Sequence, residues 1–370
     1  MAHRFVERQV SDLEPPKKHY LPVLDGLRAV AIIAVLLFHA TYGRLTGGLL
    51  GVDLFFVLSG YLITRLLLQE FEETGGIRIG FFYARRGLRL YPALLCTVLL
   101  TGLFWRLPSV SRSTSYLKAS MAALFYFGNF VRQDIGALGH TWSLAIEEQF
   151  YLFWPFLLFF LIRKTGARGL LTVCIMLVAS SSLLRAVLYI GMPDSSLDLY
   201  AFTPTRIDSL FLGAIGGVLS QKSVQIVRFQ QLARRFRIPE LSMLALLVLF
   251  CTAKYPSTWL FVWGYTAVAI ICLFLIMSAV ALSDRTLLRR LLSDRRVVWV
   301  GRRSYGLYLY HYPIFAIFET FRHVGSAVNA VFISIVRVVT TFLIAELSYR
   351  YIELPWLRKK ERFRVSEKLL

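Results

Sequence analysis

The sequence predicts an all-α protein, a polytopic bundle of transmembrane helices, on three observations. Hydrophobic residues fill 56% of the 370 positions and aromatics 15%, more apolar than a water-soluble chain of this length normally is. Apolar runs of roughly 17–25 residues, each long enough as a helix to cross a hydrocarbon layer about 30 Å thick, recur along almost the whole chain. The 42 lysines and arginines, which set a net charge of +20, gather in short clusters between those runs. On a soluble protein such an excess would point to nucleic acid. Placed between apolar runs it reads as positive-inside anchoring, so the expected partner is the lipid bilayer and no nucleic acid.

The first run, 22–42, follows about twenty polar residues and holds Arg28 within it, unlike a cleaved leader, so it is expected to remain as a span. Further spans are expected at 50–69, 90–107, 142–162, 168–190, 200–220, 239–253, 258–282, 303–318 and 327–349, with a shorter candidate at 117–131. Loop charge orients them. Basic residues crowd the N-terminus (Arg4, Arg8, Lys17, Lys18), 71–90, 163–168, 221–237 and 283–303, whereas 191–200 holds Asp194, Asp198 and no basic residue. The clusters at 71–90 and 163–168 both face the cytoplasm only if an even number of spans separates them. The 117–131 segment, which carries Lys118 and Asn129, is therefore read as one short dipping or interfacial helix. About ten spans remain, with both termini cytoplasmic. Residues 1–20 form a polar cytoplasmic N-terminus, 21–353 the transmembrane domain and 354–370 a basic cytoplasmic tail. Cys96, Cys174, Cys251 and Cys272 all fall in apolar segments without metal or disulfide spacing, so no metal is expected. No internal repeat is evident.

The polar residues inside these spans are the functional candidates, because ionisable groups at membrane depth usually face a bundle interior or a wet cavity. Arg28 and His39 lie eleven residues apart on the first helix, on one face and roughly 16 Å apart along the axis. Both could line one path, or each could reach toward its nearer headgroup layer. Arg85, Arg86 and Arg89 precede the third span; an Arg-x-x-Arg pair at helical spacing can clamp phosphate, and three arginines there also suit a topology anchor. In "GHTWSLAIEEQFYLFWP" (139–155), Glu147 shares a helix face with Ser143 and Tyr151. A carboxylate there needs a partner, and an arginine such as Arg206 is one choice. Asp53, in "GVDLFFVLSGYLIT", is expected at a depth similar to His39. His311 precedes Pro313 in its span, where it serves either the site or a helix kink.

Taken in order, "LDGL" with Arg-x10-His in "RAVAIIAVLLFH", "GVDLFFVLSGYLIT", "RRGLRLYP", "HTWSLAIEEQFYL", "TRIDSLFLGA" and "SYGLYLYHYPI" resemble the acyltransferase 3 family of integral membrane acyltransferases, over roughly residues 20–355. Each motif alone is weak; the ordered set is specific. The resemblance implies an O-acyltransferase of the bacterial cytoplasmic (inner) membrane. It would draw on cytoplasmic acyl-CoA, acetyl-CoA first among candidates, as co-substrate, with no permanently bound cofactor. The implied acceptor is a glycan, a lipid-linked sugar or a small hydroxylated molecule of the cell envelope. By residue, it implies Arg28 and His39 as the core pair with His39 as base, and Arg86 and Arg89, with Arg85 beside them, as contacts to coenzyme A phosphates. Glu147, Trp142 and Tyr151 fall in its Trp-Ser-Leu-x-x-Glu segment. Some relatives carry an SGNH-type esterase domain after the membrane part, and none is expected here, since the sequence ends about twenty residues beyond its last span.

An acyl thioester is already activated, so the enzyme must hold it, deprotonate an alcohol and stabilise charge on the carbonyl oxygen. Arginines at one mouth would hold the anionic end of the donor while His39 takes the hydroxyl proton, with Asp53 or Glu147 orienting the imidazole. A covalent acyl-enzyme on Ser59, Ser143 or His39 is the variant route. The rival class is a transporter of an anionic metabolite that uses the same arginines as its binding site. A structural scaffold accounts for none of the intramembrane carboxylates and histidines.

Overall fold

The computed structural model describes residues 20–41, 44–112, 114–131, 135–221, 223–281, 286–320 and 327–359, and among them all regular structure is helical. The polar N-terminus up to residue 19 and the basic tail from residue 360 lie outside the described residues, as do Lys222 and Arg285 of the two basic loops. The principal helices are α1 Pro22–Ala40, α2 Gly51–Thr74, α3 Ile79–Leu103, α4 Tyr116–Leu124, α5 Trp142–Gly191, α6 Ile207–Leu219, α7 Ser223–Arg235, α8 Ile238–Thr252, α9 Tyr265–Ala281, α10 Arg295–Arg302, α11 Ser304–Glu319 and α12 Ala327–Ser348. The helix α4 has nine residues, about 14 Å of rise, and is too short to cross roughly 30 Å of hydrocarbon. The two runs expected at 142–162 and 168–190 are one long element broken at Gly166, whose φ of 66° is a left-handed conformation that favours glycine.

Five segments among the described residues are long and apolar enough to cross a membrane: Pro22–Ala40, Gly48–Thr74, Gly136–Gly191, Leu260–Ala281 and Val331–Lys359. The arrangement of side chains agrees with that role. Leu103 is 80% exposed, Phe153 68% and Leu343 60%, while Arg185, Arg206 and Arg337 are 0%, 0% and 1% exposed. Charged groups inside and large apolar groups outside suit a lipid solvent, where the exterior needs no polar cover. The chain is an integral membrane protein.

The most extensive packing joins α2 to α6, and α5 then covers α6. Backbones touch at this first crossing: a Cβ on Gly60 would run into the Leu210 carbonyl, and one on Gly213 into the Val57 carbonyl. Small residues at a crossing allow such approach, which is how helices gain contact where lipid supplies no hydrophobic drive. The helix α1 packs on α2, α10 and α11, and so carries Arg28 and His39 through the middle of the molecule.

Candidate functional site

Two cavities open between these helices. The first, about 290 Å³, is lined by Arg28 of α1, by α2 from Val52 to Leu66, by Arg86, Arg89 and Leu90 of α3, by Ser143, Leu144, Glu147 and Tyr151 of α5, and by Ser304, Tyr305 and Tyr308 of α11. Helix register gives it a direction. The α2 residues Val52 to Leu66 span about 21 Å of rise. The cationic residues gather at the Leu66 end, while Val52, Ser143 and Tyr308 stand at the other. The second cavity, about 400 Å³, is lined by His39, Ser109, Arg112, Tyr312, Phe315, Ala316, Glu319 and Arg337. No residue lines both.

The expected face sharing of Ser143, Glu147 and Tyr151 is observed, all three on the wall of the arginine cavity. Glu147 accepts from the Ser59 hydroxyl at 3.1 Å, so its partner is not Arg206. Its neighbour Glu148 takes the ion pair instead, with Arg86 at 2.7 Å. The Arg86 guanidinium also lies 3.5 Å from the centroid of the Tyr151 ring, a close cation–π contact. Arg28 is held by Asp25 at 2.6 Å. Arg85 does not line this cavity and pairs with Glu70 at 3.3 Å. Arg89 faces the cavity with no hydrogen-bond or ion-pair partner among the described residues.

Asp53 is placed elsewhere. It is fully buried, 2.8 Å from Arg206, and also accepts from Ser209. The Arg206 guanidinium sits over the Tyr265 ring at 4.0 Å and the Tyr200 ring at 5.0 Å, and Trp142 packs on Tyr200 at 4.7 Å. Trp142, Arg206 and Asp53 therefore belong to one packed block beside the cavity. A fully buried arginine needs a counter-charge, and Asp53 supplies it to Arg206. The same block holds a second fully buried pair, Arg185 with Asp208 at 2.9 Å.

His39 stands in a cluster of rings. Its centroid is 5.0 Å from His311 and 5.4 Å from Tyr312, and His140 lies 5.4 Å from His311 and stacks on Tyr312 at 5.3 Å. The Nδ1–H of His39 donates to the Val35 carbonyl at 3.0 Å, which places the lone pair of the neutral ring on Nε2. His311 Nδ1 donates to the Tyr308 carbonyl and His140 Nε2 to the Leu309 carbonyl, so backbone of α11 fixes both rings. Arg337 caps the end of α1, donating to the Ala40 carbonyl at 2.7 Å, and reaches Glu319 at 3.8 Å. Among the described residues no three histidine, cysteine or acidic side chains converge as metal ligands.

Sequence reasoning overlooked His140, Tyr308, Arg185 and Arg337 as partners of the site. Arg185 and Arg337 carried the same signal as Arg28, a charge inside an apolar run. His140 precedes the Trp142 segment by two positions, and Tyr308 precedes His311 by three, close to one helical turn.

These interior cavities, lined by guanidinium and imidazole groups in a lipid-facing helix bundle, define the class as a polytopic membrane protein with a polar interior. The chain belongs to the acyltransferase 3 family, whose acyltransferase domain matches residues 21–346. It is similar to the O-acetyltransferase OatA of Staphylococcus aureus (strain NCTC 8325 / PS 47), with 35% identity over 360 residues that cover 92% of this chain and 58% of OatA. A second relative, from S. aureus strain COL and provisionally named an O-acetyltransferase, is 33% identical over 356 residues, again 92% of this chain and 58% of its own. The chain thus spans little more than half the length of these relatives. No solved structure matches it.

Proposed function

We propose that this chain transfers an acyl group, acetyl first among candidates, from acyl-CoA to a hydroxyl of a glycan, a lipid-linked sugar or a small hydroxylated acceptor. The observation that carries the reading is Arg89, a guanidinium turned into a cavity without an acceptor among the described residues, at the cationic end of a slot whose other end abuts the histidine cluster. Arg89 is half-buried and its donors have no protein acceptor among the described residues, and the phosphates of coenzyme A would supply charged acceptors to them. The names of the relatives support the same chemistry. Arg28 and Arg86, already held by carboxylates, shape the same mouth.

In this reading the pantetheine arm runs along α2 from the arginines toward Tyr308. The acceptor oxygen attacks the acyl carbon, its proton passes to Nε2 of His39, the C–S bond breaks, and the departing thiolate takes a proton to leave as coenzyme A. The backbone bond at Nδ1 keeps the basic nitrogen at Nε2, a task that a carboxylate performs in a hydrolase triad. Ten spans with both termini in the cytoplasm of a bacterial inner membrane complete the proposal, because the arginine end must meet cytoplasmic acyl-CoA. Release of free coenzyme A by the purified protein, given acetyl-CoA and a panel of glycans, tests it. Acceptor-dependent release supports transfer; flux of an anionic metabolite across proteoliposomes with no release supports the transporter instead.

A further inference from the structure

The end of the arginine cavity away from the cationic residues is lined by a side chain fixed through hydrogen bonds. Tyr308 lines that end, and its hydroxyl donates to the His140 carbonyl at 2.9 Å. Having spent its one proton there, the same oxygen must accept from the Ser143 hydroxyl, which lies 2.6 Å away. The ring is wedged as well, 6.3 Å from Phe55, 5.6 Å from His140 and 5.4 Å from His311. On the far side of that wedge, His311 touches His39, which lines the other cavity. Val52, Phe55 and Leu144 also line that end but carry no side-chain group that could hydrogen-bond across it. Tyr308 is therefore the fastened part of the wall.

We propose that Tyr308, fastened by Ser143 and the His140 carbonyl, sets the length of acyl group that the arginine cavity accepts and restricts the donor to short acyl thioesters. The inference rests on the acyl-CoA reading above. With the phosphates at Arg89, the arm is anchored at one end, so each added methylene pushes the acyl terminus against the Tyr308 ring. A pocket that rejects one methylene too many discriminates by about 10- to 200-fold. For transfer the ring swings aside, giving up two hydrogen bonds, and the thioester then faces the histidine cluster.

The test is binding of non-hydrolysable thioether analogues of acetyl-, butyryl- and hexanoyl-CoA to the purified full chain, by calorimetry, beside Tyr308→Ala and Tyr308→Leu. Leucine keeps apolar bulk against Phe55 and guards against a variant that fails to fold. The unmodified protein is expected to favour acetyl over hexanoyl by about tenfold or more. Tyr308→Ala should raise hexanoyl binding relative to acetyl binding by at least about tenfold, and Tyr308→Leu should raise the same ratio less. An unchanged chain-length order in a folded variant overturns the role of Tyr308 while leaving acyl-CoA binding in place. Failure of the unmodified protein to bind any of the three overturns the donor reading and this inference with it.

Discussion

Arg28 and His39 stand on one helix, yet Arg28 lines the arginine cavity and His39 lines the other. Their separation of eleven residues keeps both on one helix face, and the Tyr308 ring of α11, on the wall of the first cavity, packs on His311, which packs on His39. On the proposed function the donor is held by the first lining and its carbonyl attacked beside the second, so binding and chemistry should be separable by mutation.

Arg89→Ala is expected to weaken acyl-CoA binding about ten- to a hundredfold, the loss of one charge-assisted contact worth roughly 1.5–3 kcal/mol, with thermal stability unchanged. Arg86→Ala should lower stability too, since it strips the counter-ion from Glu148. Calorimetric titration alongside thermal unfolding in detergent separates the two. Normal donor binding by a folded Arg89→Ala variant would remove that residue from the phosphate site.

Asp53→Asn should unfold the protein before it reveals any catalytic defect. It leaves Arg206, 0% exposed, without its counter-charge, at a cost of about 3–5 kcal/mol. Replacing both partners, Asp53→Leu with Arg206→Met, should recover much of that loss, because an apolar pair of similar bulk is tolerated where a single orphan charge is not. Thermal unfolding of the two variants decides it; a stable, folded but inactive Asp53→Asn protein would return Asp53 to the chemistry.

The helical class and most element positions were legible because hydropathy is a local signal: the run read at 22–42 became Pro22–Ala40, and the one at 303–318 became Ser304–Glu319. The short 117–131 segment was legible through charge parity. Partner choice was not, because it depends on contacts between distant helices. Glu147 and Glu148 are adjacent, and only packing against α2 and α3 gives one to Ser59 and the other to Arg86. Asp53 was legible only as a carboxylate at the depth of His39, and its pairing with Arg206, 153 residues away in sequence, could not be read from either motif.

Gly60→Leu should destabilise the bundle through the α2–α6 crossing, where even a Cβ meets the Leu210 backbone. Backbone has nowhere to go, so a cost of at least about 1–3 kcal/mol is expected, seen as a lowered unfolding temperature. Unchanged stability would mean that this crossing is looser than described.

The ten-span arrangement predicts that single cysteines at Arg44, which is exposed, and Ser195, introduced into a cysteine-free variant, react with an impermeant thiol reagent added outside intact cells. A cysteine at Arg290 should react only after the membrane is opened. Outside labelling at Arg290 would overturn the orientation and with it the cytoplasmic approach of the donor.

The central claim is that His39 is the base of an acyl transfer, and the most direct measurement is single-turnover transfer from acetyl-CoA by purified His39→Ala, with donor binding measured on the same preparation. Transfer should fall by roughly two to four orders of magnitude, the usual contribution of a general base, or about 3–5 kcal/mol in the barrier. Acetyl-CoA binding should stay within a few-fold of the unmodified protein, because His39 does not line the arginine cavity. A folded His39→Ala protein that keeps most of its transfer rate would contradict the account, and Glu147, the carboxylate on the wall of the donor cavity, would take its place as the candidate base.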